Sequence, residues 1–217
     1  MNSPFGAGGA CMFACALGVS FILTDIPAAG AITFDFLSPA GALGTTQSYT
    51  LGGITITAAG FTSNTFLTPT ALYGKTGGGD ENGLGIANGP DHEISGGNLL
   101  RIQVPTGLTS LSFQMGSTTD EERWTVFGST TPTTGYSSLL SGTDELTSHN
   151  LLSLCKTCTF FYFKETSGED EGNILLHSLT AVSAVPLPGA LPLFGSGLAL
   201  IGFFGWHRKR NAAVHAA

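Results

Sequence analysis

Positive charge is what this chain has least of: eight Lys and Arg stand against fifteen Asp and Glu in 217 residues, a formal net charge of -7. Binding to a phosphate backbone draws its affinity from Lys and Arg, so nucleic acid is excluded as the expected partner. Cysteine is scarce too, at four, and two of these, Cys11 and Cys15, fall in an apolar N-terminal stretch and read as apolar filler. Only Cys155 and Cys158 remain, a lone Cys-x-x-Cys. A four-ligand zinc site would need a second such pair, and a redox dithiol would need a helix after the first Cys, where this chain reads as strand. The expected state is a local disulfide bracing the turn into Phe160-Phe161-Tyr162-Phe163. No Ser-His-Asp spacing and no Gly-x-Ser-x-Gly elbow appears, and His92, His149 and His177 are scattered singly. No internal repeat is visible, which disfavours a propeller or solenoid. No helical stripe appears before residue 190.

Period-two alternation is present instead. Ile54-Thr55-Ile56-Thr57, Leu100-Arg101-Ile102-Gln103-Val104 and Leu111-Ser112-Phe113-Gln114-Met115 alternate apolar with polar, as half-buried strands do. Further strands are predicted at Ile32 to Phe36, Ser48 to Leu51, Trp124 to Phe127, Phe160 to Lys164 and Ile174 to Val182, with hairpin turns at Gly52-Gly53 and Gly96-Gly97-Asn98. Roughly eight to ten short strands predict an all-β fold, a single β-sandwich of jelly-roll type spanning residues 32–184. That segment carries five Lys or Arg and fourteen Asp or Glu. Its length suits one domain.

The two ends read differently. Residues 1–31 form a predicted signal peptide: Ala10 to Leu23 is apolar, Pro27 breaks it, and Ala29 and Ala31 are the small residues a signal peptidase reads, with cleavage before Ile32. At the other end Val185-Pro186-Leu187-Pro188-Gly189 precedes an apolar run from Ala190 to Trp206 and the cluster His207-Arg208-Lys209-Arg210, leaving 211–217 as a short tail. Seventeen residues without a charge make a helix of about 25 Å, enough to cross a bilayer core. Arg208, Lys209 and Arg210 hold the tail in the cytoplasm and place the domain outside.

The order of Pro-x-Pro motif, apolar helix and basic end resembles the sorting signal of PEP-CTERM proteins of Gram-negative bacteria. Leu187 replaces the name-giving Glu, a departure that is similar to the VPLPA form of the signal. The resemblance covers about residues 185 to 210. It implies recognition by an exosortase, a membrane protease-transpeptidase, with cutting near Val185 to Gly189 and delivery to the cell surface or extracellular matrix. On this reading the chain is a substrate with no catalytic residues, held in the inner membrane before processing and then among exopolysaccharide.

The most chemically loaded segment is Leu72 to Ile94, LYGKTGGGDENGLGIANGPDHEI, which also resembles a segment recurring in exported PEP-CTERM proteins. Four acidic side chains fall within its fourteen residues 80–93. Hard oxygen ligands on a glycine-rich loop suit Ca²⁺, so Asp80, Glu81 and Glu93 are candidate ligands for structural calcium, with Asn82 and Asp91 as lesser ones. The spacing is not that of an EF-hand, and a solvated acidic loop with glycines serving tight turns is the alternative. Glu81 with Glu93, or Asp120, Glu121 and Glu122, are the carboxylates a glycoside hydrolase would need, though no apolar setting separates their pKa values. Trp124, Tyr136, Tyr73 or Tyr162 would be the stacking residues of a carbohydrate-binding module, against which Trp124 reads more simply as core.

Overall fold

The computed structural model describes residues 30–62, 68–118, 122–167 and 172–184. Fifteen strands follow one another in these: β1 (Ile32–Phe34), β2 (Gly41–Ala42), β3 (Thr46–Leu51), β4 (Ile54–Phe61), β5 (Pro69–Thr70), β6 (Leu72–Thr76), β7 (Asn82–Ile86), β8 (Ile94–Ser95), β9 (Leu99–Gln103), β10 (Leu108–Gly116), β11 (Trp124–Ser129), β12 (Ser137–Gly142), β13 (His149–Asn150), β14 (Phe160–Glu165) and β15 (Asn173–Ser183). One helical turn, α1 (Leu151–Leu154), is capped by the Asn150 side chain. The protein is all-β, in two antiparallel sheets. The first has the order β13-β10-β15-β7-β6-β2, with β1 and β8 also on β15, and the second β12-β11-β14-β9-β4-β3, with β5 on β4. The predicted signal peptide, including Ala29, and everything from Val185 onward lie outside the described residues, while Ala31 is exposed just ahead of β1. Among the described residues no helix is long and apolar enough to cross a membrane.

Alternation builds one core between the sheets. Leu111, Phe113 and Met115 of β10 face Phe161 and Phe163 of β14, Trp124 and Val126 of β11, and Ile54, Ile56 and Ala58 of β4, all in one buried cluster. The Phe113 ring, from the first sheet, meets Trp124 at 5.4 Å and Phe163 at 5.3 Å, both edge-on and both from the second.

The longest strand breaks its own alternation. Ile174 and Leu176 face the common core, and so do Leu179 and Ala181, which requires an odd step between them. A register shift between Gln114 and Met115, where β10 pairs with β15, supplies it.

The two glycine turns do different things. Leu51 pairs with Ile54 across Gly52-Gly53, whose φ values of 54° and 80° give the primed turn a two-residue hairpin needs. Gly96-Gly97-Asn98 makes a turn closed by Asn98 N donating to Ser95 O at 2.9 Å, but it joins no hairpin. Ser95 belongs to a strand paired with β15 in the first sheet and Leu99 to a strand of the second, so this turn carries the chain from one sheet to the other.

Gly77 to Ile86 reads as a loop in sequence, yet Asn82–Ile86 is strand β7, paired along its length with β6. Glycine is a poor strand former, and its presence here has a steric cause. A Cβ at Gly83 would lie 2.6 Å from Leu176 O, and one at Gly85 would lie 2.1 Å from His92 O. The main chain of 90–93 packs directly onto β7 where a side chain would otherwise stand. Gly85→Ala therefore costs about 2 kcal/mol, because the atoms in the way are backbone. Chemical denaturation measures it, and a cost below half that value would mean the 90–93 segment yields freely.

Candidate functional site

The close approach of backbone around β7 sets four side chains together. Lys75, near the end of β6, directs its Nζ to both Glu81 Oε2 and Glu93 Oε1. Ser117, just past β10, places its Oγ 2.9 Å from Glu81 Oε1 and 2.8 Å from Glu93 Oε2. Glu81 ends the short helical turn Gly79–Glu81 that joins β6 to β7, and the carbonyl oxygen of the next residue, Asn82, lies 2.9 Å from His177 Nδ1. Glu93 follows a second such turn, Pro90–His92, where Asp91 and His92 hold φ of 51° and 65°, and Ser117 itself sits at 54°. Three non-glycine residues in the left-handed region border this one cluster, each at a conformational cost that the surrounding contacts offset.

Burial differs sharply across the cluster: the Glu93 side chain is 2% exposed, Lys75 19% and Glu81 37%. Desolvation pushes the Glu93 carboxyl up, outweighing the bonds from Lys75 and Ser117. Glu81 is held below the usual carboxylate range, first by its hydrogen bond from Lys75. Burial alone would lower Lys75, but the two glutamates raise it overall. The Ser117 hydroxyl has one proton and contacts two carboxyls, so it donates to one and accepts from the other when that one is protonated. Of the two carboxyls, Glu93 is the one that takes up a proton more readily.

Opposite shifts give opposite pH signs. A carboxyl raised in the folded state adds most stability in acid and loses it as pH rises from about 4.3 toward its folded value. A lowered one contributes above about 4.3 and loses its contribution as pH falls toward its folded value. Glu93→Gln is accordingly tolerated at pH 7 and loses its advantage over the parent near pH 4, whereas Glu81→Gln is destabilised at pH 7 and converges on the parent in acid. Unfolding midpoints from pH 3 to 8 check both; the same sign for both variants would contradict this assignment.

The candidate calcium ligands are thus brought together only in part. Glu81 and Glu93 converge, and the cation between them is the Lys75 ammonium. Asp80 lies half-buried with its carbonyl against Gly116, Asn82 Oδ1 accepts from Gly78 N at 2.9 Å, and Asp91 is exposed. Among the described residues no three His, Cys, Asp or Glu side chains are grouped to hold a metal. Sequence reasoning missed Lys75 and Ser117. A usable signal existed for the first, since Lys75 is the first Lys or Arg in the chain and stands six residues from Glu81.

The remaining candidates are placed singly. Cys155 and Cys158 form a disulfide with Cα atoms 5.5 Å apart, between α1 and β14. Trp124 is 1% exposed and Tyr162 fully buried, so neither offers a face to a sugar. Tyr73 stacks on His92 at 4.0 Å, and Tyr136 is exposed beside Phe127. His149 contacts Asp144 and His92 the Ala87 carbonyl. Glu122 accepts from Asn173 N at 2.7 Å, while Asp120 and Glu121 lie outside the described residues. An open groove of about 290 Å³ runs between β1 and β3, lined by Thr33, Asp35, Ser48 and Tyr49, whose phenol burial pushes up to about 12. No protein-family model, curated protein or solved structure matches this chain.

Proposed function

We propose that this chain is an exported, non-catalytic surface or extracellular-matrix protein, a jelly-roll-like β-sandwich made as a precursor and sorted through a PEP-CTERM-type signal by an exosortase. One observation carries the reading: the motif Val185-Pro186-Leu187-Pro188-Gly189, the apolar run and Arg208-Lys209-Arg210 begin directly where β15 ends, at Ser183, with Ala184 N still bonded to Gly107 O. Cutting in that motif would leave every described strand intact.

Two further features support it. Ile32, the first residue after the proposed signal peptidase site, is also the first residue of β1 and pairs with Ala181 of β15, so the start of β1 and the end of β15 lie at one end of the domain. The Cys155–Cys158 disulfide suits an oxidising compartment outside the cytoplasm. The test is replacement of Pro186 and Pro188 by Ala in a host that carries an exosortase. The double variant accumulates at full length in the inner membrane while the parent chain is shortened and reaches the surface. A parent chain that is never shortened would refute the reading.

A further inference from the structure

Apart from the Lys75 cluster, buried oxygens gather at the opposite side of the same strand end. The last pair of the β10–β15 ladder is Gly116 with Leu175; Thr118 follows two residues past the end of β10, and Asn173 is the first residue of β15. Thr118 is 8% exposed, and its Oγ1 is buried with no hydrogen-bond partner among the described residues; the same holds for the Oδ1 atom of Asn173. Buried polar atoms are almost always satisfied, so two orphaned oxygens at one strand end ask for an explanation.

Both sit beside carboxylates. Glu122 Oε1 accepts from the Asn173 amide at 2.7 Å, and Glu145 Oε1 accepts from the Thr118 amide at 3.1 Å. The 143–148 connection that carries Glu145 is pinned over β10, with Leu146 N donating to Met115 O at 2.8 Å and Gln114 Nε2 donating to Leu146 O at 2.6 Å. Glu122 beside Asn173 and Glu145 beside Thr118 thus set two carboxylates next to two residues with unpartnered oxygens, on segments that meet the same end of the β10–β15 ladder. All four side chains offer oxygen atoms.

We propose that these residues, Thr118, Glu122, Glu145 and Asn173, form a binding site for a hard divalent cation, and that the ion is Ca²⁺. An all-oxygen set mixing charged and neutral ligands from irregular segments suits Ca²⁺, which takes six to eight oxygens in flexible geometry; Mg²⁺ demands a tighter octahedron and Zn²⁺ prefers nitrogen and sulfur. Two carboxylates give a dissociation constant on the order of 10⁻⁴ to 10⁻³ M, the range of extracellular modules. The site is distinct from Asp80, Glu81 and Glu93, and it does not depend on how the chain is sorted.

The test uses the full chain in detergent, stripped with EGTA and titrated with Tb³⁺ and then Ca²⁺. Trp124 Nε1 donates to Asp144 O at 3.1 Å, the residue next to Glu145, so the indole lies close enough to sensitise a bound Tb³⁺. Tryptophan-excited Tb³⁺ luminescence appears, Ca²⁺ displaces it, and Ca²⁺ raises the unfolding temperature where equal Mg²⁺ does not. Glu145→Gln and Glu122→Gln each weaken Ca²⁺ binding at least tenfold, while Glu81→Gln leaves it unchanged. No luminescence in the parent chain overturns the proposal without recourse to any variant, and means water satisfies Thr118 and Asn173. Binding lost in Glu81→Gln and retained in Glu145→Gln overturns it too, by placing the ion at the Lys75 cluster.

Discussion

Lys75→Met lowers the stability of the domain by about 3 to 5 kcal/mol at pH 7, since removing one partner of a buried pair leaves an uncompensated charge. The charge left behind is that of Glu93, which is 2% exposed; Glu81, with 37% of its side chain in solvent, is screened and adds little. Acid relieves the loss, because the Glu93 carboxyl is already raised by desolvation and takes a proton readily. Adding Glu93→Gln to Lys75→Met restores most of the stability for the same reason: the amide is neutral and keeps the contact with Ser117. Urea unfolding of parent, both single variants and the double variant at pH 7 and pH 5 completes the cycle. Additivity of the two substitutions within about 0.5 kcal/mol would show that Lys75 and Glu93 do not act together.

Phe113→Ala costs about 4 kcal/mol, near the upper part of the range for a buried aromatic, because the ring joins the two sheets. It is 1% exposed and touches the rings of Trp124, Phe163 and His149. The edge-on pairs with Trp124 and Phe163 add about 0.5 to 1.5 kcal/mol each beyond simple burial, and the cavity opens between faces that cannot close without shifting a whole sheet. The near-UV signal of Trp124 changes in the folded variant. Leu51→Ala, at a side chain 50% exposed, moves stability by no more than about 0.5 kcal/mol and serves as the control. A loss under about 1.5 kcal/mol for Phe113→Ala would mean that the sheets do not share a core there.

Much of the fold is legible because alternation is a local signal. Leu111, Phe113 and Met115 can be assigned to one face from the sequence alone, and Gly52-Gly53 identifies its hairpin because two consecutive positive φ values need such residues. Trp124, read as core, is core. What escapes the sequence depends on distant chain. Strand β7 hides behind Gly83 and Gly85, whose glycines answer to the backbone of Leu176 and His92 rather than to a turn. The change of face along β15 comes from one extra residue, His177, which falls between Ser178 paired with Gln114 and Leu176 paired with Met115, and nothing local announces it as a bulge.

The site divides the same way. Glu81 and Glu93 stand out as acidic residues among glycines, and their convergence follows from the segment folding back on itself. Lys75 is separated from Glu93 by eighteen residues and Ser117 by twenty-four, and a serine gives no hint of a bridging role until β10 is laid beside β7 through β15. The tail is the reverse case. Its three parts are consecutive, so their order can be read directly.

Mass spectrometry of the mature protein from the membrane, surface and medium fractions of its native host tests the central claim most directly. The account predicts a chain that starts at Ile32 and ends between Val185 and Gly189, found at the surface or in the medium. A chain that still ends at Ala217 in the membrane fraction would contradict it, and would make the apolar segment a permanent anchor with no exosortase involved.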